Sequence, residues 1–142
     1  MNDKFIAQAT TTIHAPVSKV WQALVNPEII KQYLFDTDVI TDWQVGSPIL
    51  YRGQWQGKAF EDKGRVLKIE PEKLLASTHW SPLSGVADSP ENYHTVTYTL
   101  SDMGDSTEVT ITQDNNSTEQ EKEHSEQNWR TVLDNMKRLL EG

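Results

Sequence analysis

The spacing of apolar residues changes three times along this chain, and each change marks a change of element. Residues 5–13, Phe-Ile-Ala-Gln-Ala-Thr-Thr-Thr-Ile, are rich in β-branched side chains and predict a first strand. His14-Ala15-Pro16 breaks it, and Pro16 suits the first position of a helix. Val17, Val20, Trp21, Leu24 and Val25 then fall on one helical face and read as core. Asn26-Pro27 ends that helix, because a residue before proline avoids the α region. Pro27 opens a second short helix carrying Ile29, Ile30, Tyr33 and Leu34.

From Asp36 the period drops to two. Residues 38–43 predict a strand, and Gly46-Ser47-Pro48 a turn. Ile49, Tyr51, Gly53 and Trp55 alternate with Leu50, Arg52 and Gln54. Gln56-Gly57-Lys58 turns the chain again into a longer strand over 60–70, with Gly64 as a bulge. A strand over 74–80 follows. Its alternation places Leu74, Ala76, Thr78 and Trp80 on one face and His79 on the opposite, exposed one. The longest loop spans 81–92. Beyond it His94, Val96, Tyr98 and Leu100 alternate with threonines. After the hairpin turn at 102–105, residues 107–113 return with Val109 and Ile111 inward.

The period changes again at Thr118. Thr118-Glu119-Gln120-Glu121 is a capping box, in which a hydroxyl caps the first free amides and a Glu reaches back. Acids gather at the start and bases at the end, as the helix dipole favours. Trp129, Val132, Leu133, Met136 and Leu140 recur at helical spacing, and Gly142 serves as a stop. The result is one helix of ~35 Å. Its first half carries no large apolar residue between Thr118 and Asn128. Strand, two short helices, about six consecutive strands and a long helix make an α+β chain. Strands joined by short turns favour an antiparallel sheet. That sheet needs a cover on its apolar face, and the last helix is the long amphipathic element available.

Composition narrows the functional classes. The 142 residues fit one domain, 1–142, with one core. A formal net charge of −8 argues against nucleic-acid binding and against docking on anionic membranes. The charge reads as solubility. No cysteine is present, which excludes disulfides and thiolate metal sites. The N-terminus lacks a basic region followed by a long apolar run, and no stretch approaches ~20 apolar residues. A cytoplasmic protein without membrane insertion is expected.

Four segments carry a family resemblance. They are Thr-Thr-Ile-His-Ala-Pro-Val-Ser-Lys-Val-Trp-Gln-Ala-Leu-Val-Asn-Pro at 11–27, Gly-Arg-Val-Leu-Lys-Ile-Glu-Pro-Glu-Lys-Leu-Leu at 64–75, Val-Thr-Tyr-Thr-Leu at 96–100 and Asn-Trp-Arg-Thr-Val-Leu-Asp-Asn-Met-Lys at 128–137. In this order and spacing they resemble the START-like superfamily, also called SRPBCC. Within it they resemble the branch named after the activator of the ninety-kilodalton heat-shock protein ATPase. The resemblance implies a helix-grip fold, a curved antiparallel sheet of six to seven strands wrapped around the C-terminal helix. It also implies a deep pocket between sheet and helix for an apolar small molecule, with no catalytic set.

Against that expectation, Trp43, Tyr51, Trp55, Phe60, Trp80, Tyr98 and Trp129 are candidate cavity walls, and Tyr33 and Leu133 join them. The competing reading of each is ordinary core. His94 shares the face of Val96 and Tyr98 and is a candidate polar group. Ser125 lies one helical turn before Trp129, with Lys122 and Glu121 one turn further back, where that end either lids a cavity or projects into water. The four histidines are scattered, so no metal site is expected and no cofactor is implied. Glu61 and Asp62 are adjacent in a strand and point to opposite faces, which argues against an acid–base pair. No serine sits in a nucleophile motif.

Three functions stand open. The first is a binding module for an apolar or aromatic molecule such as a lipid, polyketide or flavonoid-like compound. The second is a cyclase or hydratase on the same fold, with one His, Tyr or carboxylate moving a proton. The third is a co-chaperone-like interaction domain with a chaperone as partner.

Overall fold

The computed structural model describes residues 5–141, without the side chains of Trp55 and Leu83. Gly142, read as a helix stop, residues 1–4 of the N-terminal reading, and Trp55 as a cavity wall therefore lie outside the described residues. The elements are β1 (Ala7–Ile13), α1 (Val17–Val25), α2 (Pro27–Tyr33), β2 (Asp38–Ile40), β3 (Pro48–Trp55), β4 (Lys58–Glu70), β5 (Leu74–His79), β6 (His94–Asp102), β7 (Thr107–Gln113) and α3 (Glu119–Glu141). Short 3-10 turns at Pro82–Ser84 and Pro90–Asn92 interrupt the long loop.

The sheet order is β1-β7-β6-β5-β4-β3-β2, antiparallel throughout. Strands β2 to β7 form a meander, and β1 closes onto β7 at the other edge. Local chemistry sets the joints. Gln56 and Gly57 both have positive φ, +50° and +80°, so the two-residue β3–β4 turn takes the hand that matches strand twist. Asn26 caps α2 by accepting from Glu28 N at 3.0 Å.

The curved sheet grips α3, as expected of the helix-grip fold. Val132, Leu133, Met136 and Leu140 are buried against Ile13, Val109, Ile111 and the α1 residues Val20 and Leu24. Thr118 Oγ1 accepts from Glu121 N at 3.1 Å, the first half of the capping box. Polar bonds fix the helix along β1. Gln8 N donates to Glu126 Oε2 at 3.0 Å, Lys137 Nζ to the Thr12 carbonyl at 2.6 Å, and His14 N to Glu141 Oε2 at 2.7 Å. Lys19 Nζ donates to the Leu140 carbonyl at 2.8 Å and so caps the C-terminus from α1. No helix among the described residues is long and apolar enough to cross a membrane.

Three expectations are corrected. The strand expected over 38–43 stops at Ile40. Asp42 Oδ1 accepts from Gln44 N at 3.0 Å and Trp43 takes φ +61°, so side chain–backbone bonding turns the chain out of the ladder. Pro16 precedes α1 as its N-cap in extended conformation rather than occupying its first turn. The bulge in β4 lies between Val66 and Lys68, not at Gly64, and it leaves Leu67 43% exposed. Gly64 serves a different need, a close approach of the β5 backbone.

Candidate functional site

Between the inner face of β3–β7 and the middle of α3 lies a cavity of about 420 Å³. Seven of the expected wall residues line it: Tyr51, Phe60, Trp80, His94, Tyr98, Ser125 and Trp129. Tyr33, Trp43 and Leu133 do not. Tyr33 is buried and donates its hydroxyl to the Ala23 carbonyl at 2.7 Å, which ties α2 to α1. Trp43 follows the truncated β2 and packs on the core. Leu133 sits one turn past Trp129, where α3 has reached the dry centre, and is 1% exposed.

One end of the cavity is held by amides. Trp129 Nε1 donates to Gln113 Oε1 at 2.8 Å. Gln113 Nε2 donates to Ser125 Oγ and Asn116 Oδ1, each at 3.4 Å, and Ser125 Oγ donates to Asn116 Oδ1 at 3.1 Å. Asn116 is itself buried, and its Nδ2 reaches the carbonyls of Phe5 (2.7 Å) and Gln113 (3.0 Å). Trp129 is thereby oriented edge-on to Tyr98, with centroids 6.0 Å apart. The polar first half of α3 thus meets the cavity at Ser125, while Lys122 and Glu121 do not line it.

At the rim, Phe35 is 53% exposed and holds φ +50°. Trp80, which also lines the cavity, stacks on Tyr93 at 6.4 Å, and Lys63 Nζ lies 5.7 Å from the Trp80 ring. Lys63 also pairs with Asp88, which accepts from Tyr93 Oη at 2.6 Å. The loop over 81–92 is therefore pinned as a rim rather than hanging free.

A polar corner occupies the floor, and sequence reasoning misplaced half of it. His79 lines the cavity rather than standing on the outer face of the sheet. The inward face of β5 is Leu75, Ser77 and His79, whose cross-strand partners on β6 are Tyr98, Val96 and His94. Leu74 and Leu75 are both apolar, so the two parities of this strand looked alike until its neighbours chose one. His79 Nε2 lies 3.0 Å from Asp62 Oδ2, and Tyr51 meets the imidazole edge-on at 5.4 Å. Glu61 does point the other way, outward, accepting from Arg52 Nε at 2.6 Å. The sequence reading weighs Asp62 only as a partner of Glu61 and does not name Ser77. A signal existed for Asp62: the two-residue turn pairs Trp55 with Lys58, and counting back pairs Tyr51 with Asp62. Gln113, likewise missed, continues the inward parity of Val109 and Ile111. His94 Nδ1 donates to the Asp114 carbonyl at 2.8 Å, which leaves Nε2 of a neutral ring as an acceptor.

Burial pushes the Tyr51 hydroxyl up to about 12; the Ser77 hydrogen bond opposes the shift and the Asp62 carboxylate adds to it. Burial raises Tyr98 as well, with Tyr51 contributing. The folded chain therefore keeps a Tyr51 proton that the unfolded chain releases near about 10. The stability linked to that proton is present below pH ~10 and is lost as pH rises toward ~12. Urea unfolding across that window should show stability falling, and Tyr51→Phe should fall less steeply. An identical slope in the variant would show that Tyr51 does not titrate there.

Comparison with known proteins follows this geometry. The family described as Activator of Hsp90 ATPase homolog 1-like protein matches residues 14–141. Among solved structures, ChR145 from Cytophaga hutchinsonii is 54% identical, over 99% of this chain and 97% of that one, with a TM-score of 0.86. The Aha1 dimer from Colwellia psychrerythraea is 23% identical, over 96% of each chain, with a TM-score of 0.73. DynU16, a putative protein in the dynemicin biosynthetic locus, is 19% identical, covering 97% of this chain and 48% of that one, with a TM-score of 0.80. The last two show the shared fold. Comparison with curated proteins finds no match. A family match over nearly the whole chain and a relative identical at more than half its positions lead to one conclusion: the chain belongs to the Activator of Hsp90 ATPase homolog 1-like family, within the START-like superfamily.

Proposed function

We propose that the protein binds an apolar or aromatic small molecule, of lipid, polyketide or flavonoid-like kind, in the cavity between the sheet and α3. The observation that carries this reading is the cavity itself. Its volume of about 420 Å³ lies in the range of small-molecule sites, and aromatic walls with a few convergent polar groups are the usual make-up of such sites. Tyr98, Trp129 and Phe60 supply burial. Ser125, His94 and Tyr51 supply orientation.

One observation favours a second reading. The Asp62–His79 pair has the arrangement of an oriented base, and a cyclase- or hydratase-type proton transfer is the chemistry such a pair performs. DynU16, a structural relative, lies in a biosynthetic locus, which agrees with either reading. A chaperone partner rests on the name of relatives alone.

N-phenyl-1-naphthylamine, an uncharged fluorophore that brightens in apolar surroundings, tests the binding reading. Its emission should rise and saturate at one molecule per chain. Ser125→Trp should fill that end of the cavity and weaken the probe at least about tenfold, a loss of ~1.4 kcal/mol. The melting temperature should stay within a few degrees. Unchanged affinity in the variant, or no saturable binding at all, would remove the cavity from consideration. Mass spectrometry of a bound natural ligand before and after incubation separates holding from turnover.

A further inference from the structure

Asp62 Oδ1 is buried and has no hydrogen-bond partner among the described residues. The other carboxylate oxygen is taken by His79 Nε2. A buried acceptor left alone is costly, and in a cavity wall it marks the place where a donor is due. The side chain is only 15% exposed, so bulk water does not readily relieve it.

The surroundings say what kind of donor. With Asp62 ionised, Nε2 of His79 carries the hydrogen and donates, which leaves Nδ1 with a free lone pair. Both open positions in this corner, Asp62 Oδ1 and His79 Nδ1, are therefore acceptors. Tyr51 stands directly across from Asp62 on β3, yet Asp62 Oδ1 is without a partner, so the Tyr51 hydroxyl does not fill that position. The ionisable side chains lining the cavity are Tyr51, Asp62, His79, His94 and Tyr98 from the sheet. Among the described residues none comes from α3 or from the segment between α2 and β2, and no Lys or Arg lines the cavity. An incoming carboxylate or phosphate would meet a buried carboxylate with no fixed cation beside it. An ether or ketone has no hydrogen to give and would leave Asp62 Oδ1 unpaired.

We propose that this corner is a hydroxyl-recognition subsite, selecting ligands that end in an uncharged phenol or enol hydroxyl and rejecting carboxylate- and phosphate-headed molecules. The proposal rests on the reading of the cavity as a binding site and narrows it. The apolar body of the ligand lies along Tyr98 and Trp129. Its hydroxyl donates to Asp62 Oδ1 or His79 Nδ1. An acidic hydroxyl is the best match, because hydrogen bonds to an ionised acceptor are the strong ones.

Three probes of one shape test it: 2-naphthol, 2-methoxynaphthalene and 2-naphthoate, titrated by NMR in one buffer. The naphthol should bind about tenfold tighter than the ether, since the hydrogen bond goes to a charged group. The naphthoate should bind more weakly than the ether. Asp62→Asn should shrink the preference for naphthol over the ether to within about threefold and improve naphthoate. If the variant does not fold, the ranking on the natural chain decides alone. Equal binding of all three, or naphthoate binding tightest, overturns the subsite while leaving the cavity as a binding site. Failure of all three to bind, together with N-phenyl-1-naphthylamine, overturns both.

Discussion

Gly64→Val is expected to destabilise the protein by about 3 kcal/mol or more, at the upper end of what overpacking costs. A Cβ at this position would fall 1.7 Å from the carbonyl oxygen of Thr78 and 2.6 Å from its carbon. Those are backbone atoms of the neighbouring strand, so no rotamer change relieves the clash. The strands are clamped on both sides of the contact. Lys63 and Trp80 exchange backbone hydrogen bonds at 2.9 and 2.8 Å, and Arg65 N donates to Thr78 Oγ1 at 3.0 Å. Any relief must push β4 from β5, which also separates Asp62 from His79, since both lie within two residues of the clash. Loss of the fold and loss of the polar corner should therefore appear together. Gly64→Ala should cost nearly as much, because the first carbon is already in conflict. Gly104→Ala, in open space but at φ +90°, should cost only about 1 kcal/mol. Urea midpoints for the three variants provide the check. A Gly64→Val protein as stable as the original would mean that β4 and β5 do not approach as described.

Leu133→Ala should cost about 3 kcal/mol, within the 2–5 range for deleting a buried leucine side chain, and should leave probe affinity unchanged in whatever fraction stays folded. Leu133 is 1% exposed and belongs to the core between α3 and the sheet, not to the cavity wall. Trp129→Phe makes the opposite case one turn earlier on the same helix. It keeps an aromatic ring on the core but removes the Nε1 donor to Gln113, so the wall loses its fixed orientation. Its stability loss should be the smaller of the two, about 1 kcal/mol for one hydrogen bond, and its probe affinity should drop. If Leu133→Ala altered N-phenyl-1-naphthylamine binding more than Trp129→Phe, the boundary between core and cavity on α3 would have to be redrawn.

The strand–helix–helix–strands–helix order was readable because each element announces itself within a few neighbours. Pro27, the Gln56-Gly57 turn and the Thr118 cap act over two to four residues, and the stripe from Trp129 to Leu140 repeats at a period that only a helix satisfies. The same locality explains the failures. Trp43 looked like a strand residue by composition, but Asp42 had a nearer partner in the backbone of Gln44. Tyr33 looked like a ring for a ligand, but α1 supplied a carbonyl for its hydroxyl. Of the candidate site, the walls Tyr51, Tyr98 and Trp129 were legible from parity and helical spacing. Leu133 continues the same helical stripe as Trp129, yet it sits in the core.

Local periodicity and short turns were enough for the antiparallel sheet, the terminal helix with one greasy half and one polar half, and the supply of aromatic side chains. It could not choose between the two faces of β5, because an alternation with leucine in both registers is satisfied either way. That choice came from pairing with β6, which set His79 beside His94, and from pairing with β4, which brought Asp62 into reach. The unpartnered Asp62 Oδ1 and the glycine that lets Thr78 approach exist only where strands far apart in the chain meet. Contacts of that kind depend on the distance between backbones, and a linear order of residues holds no distances beyond a few bonds.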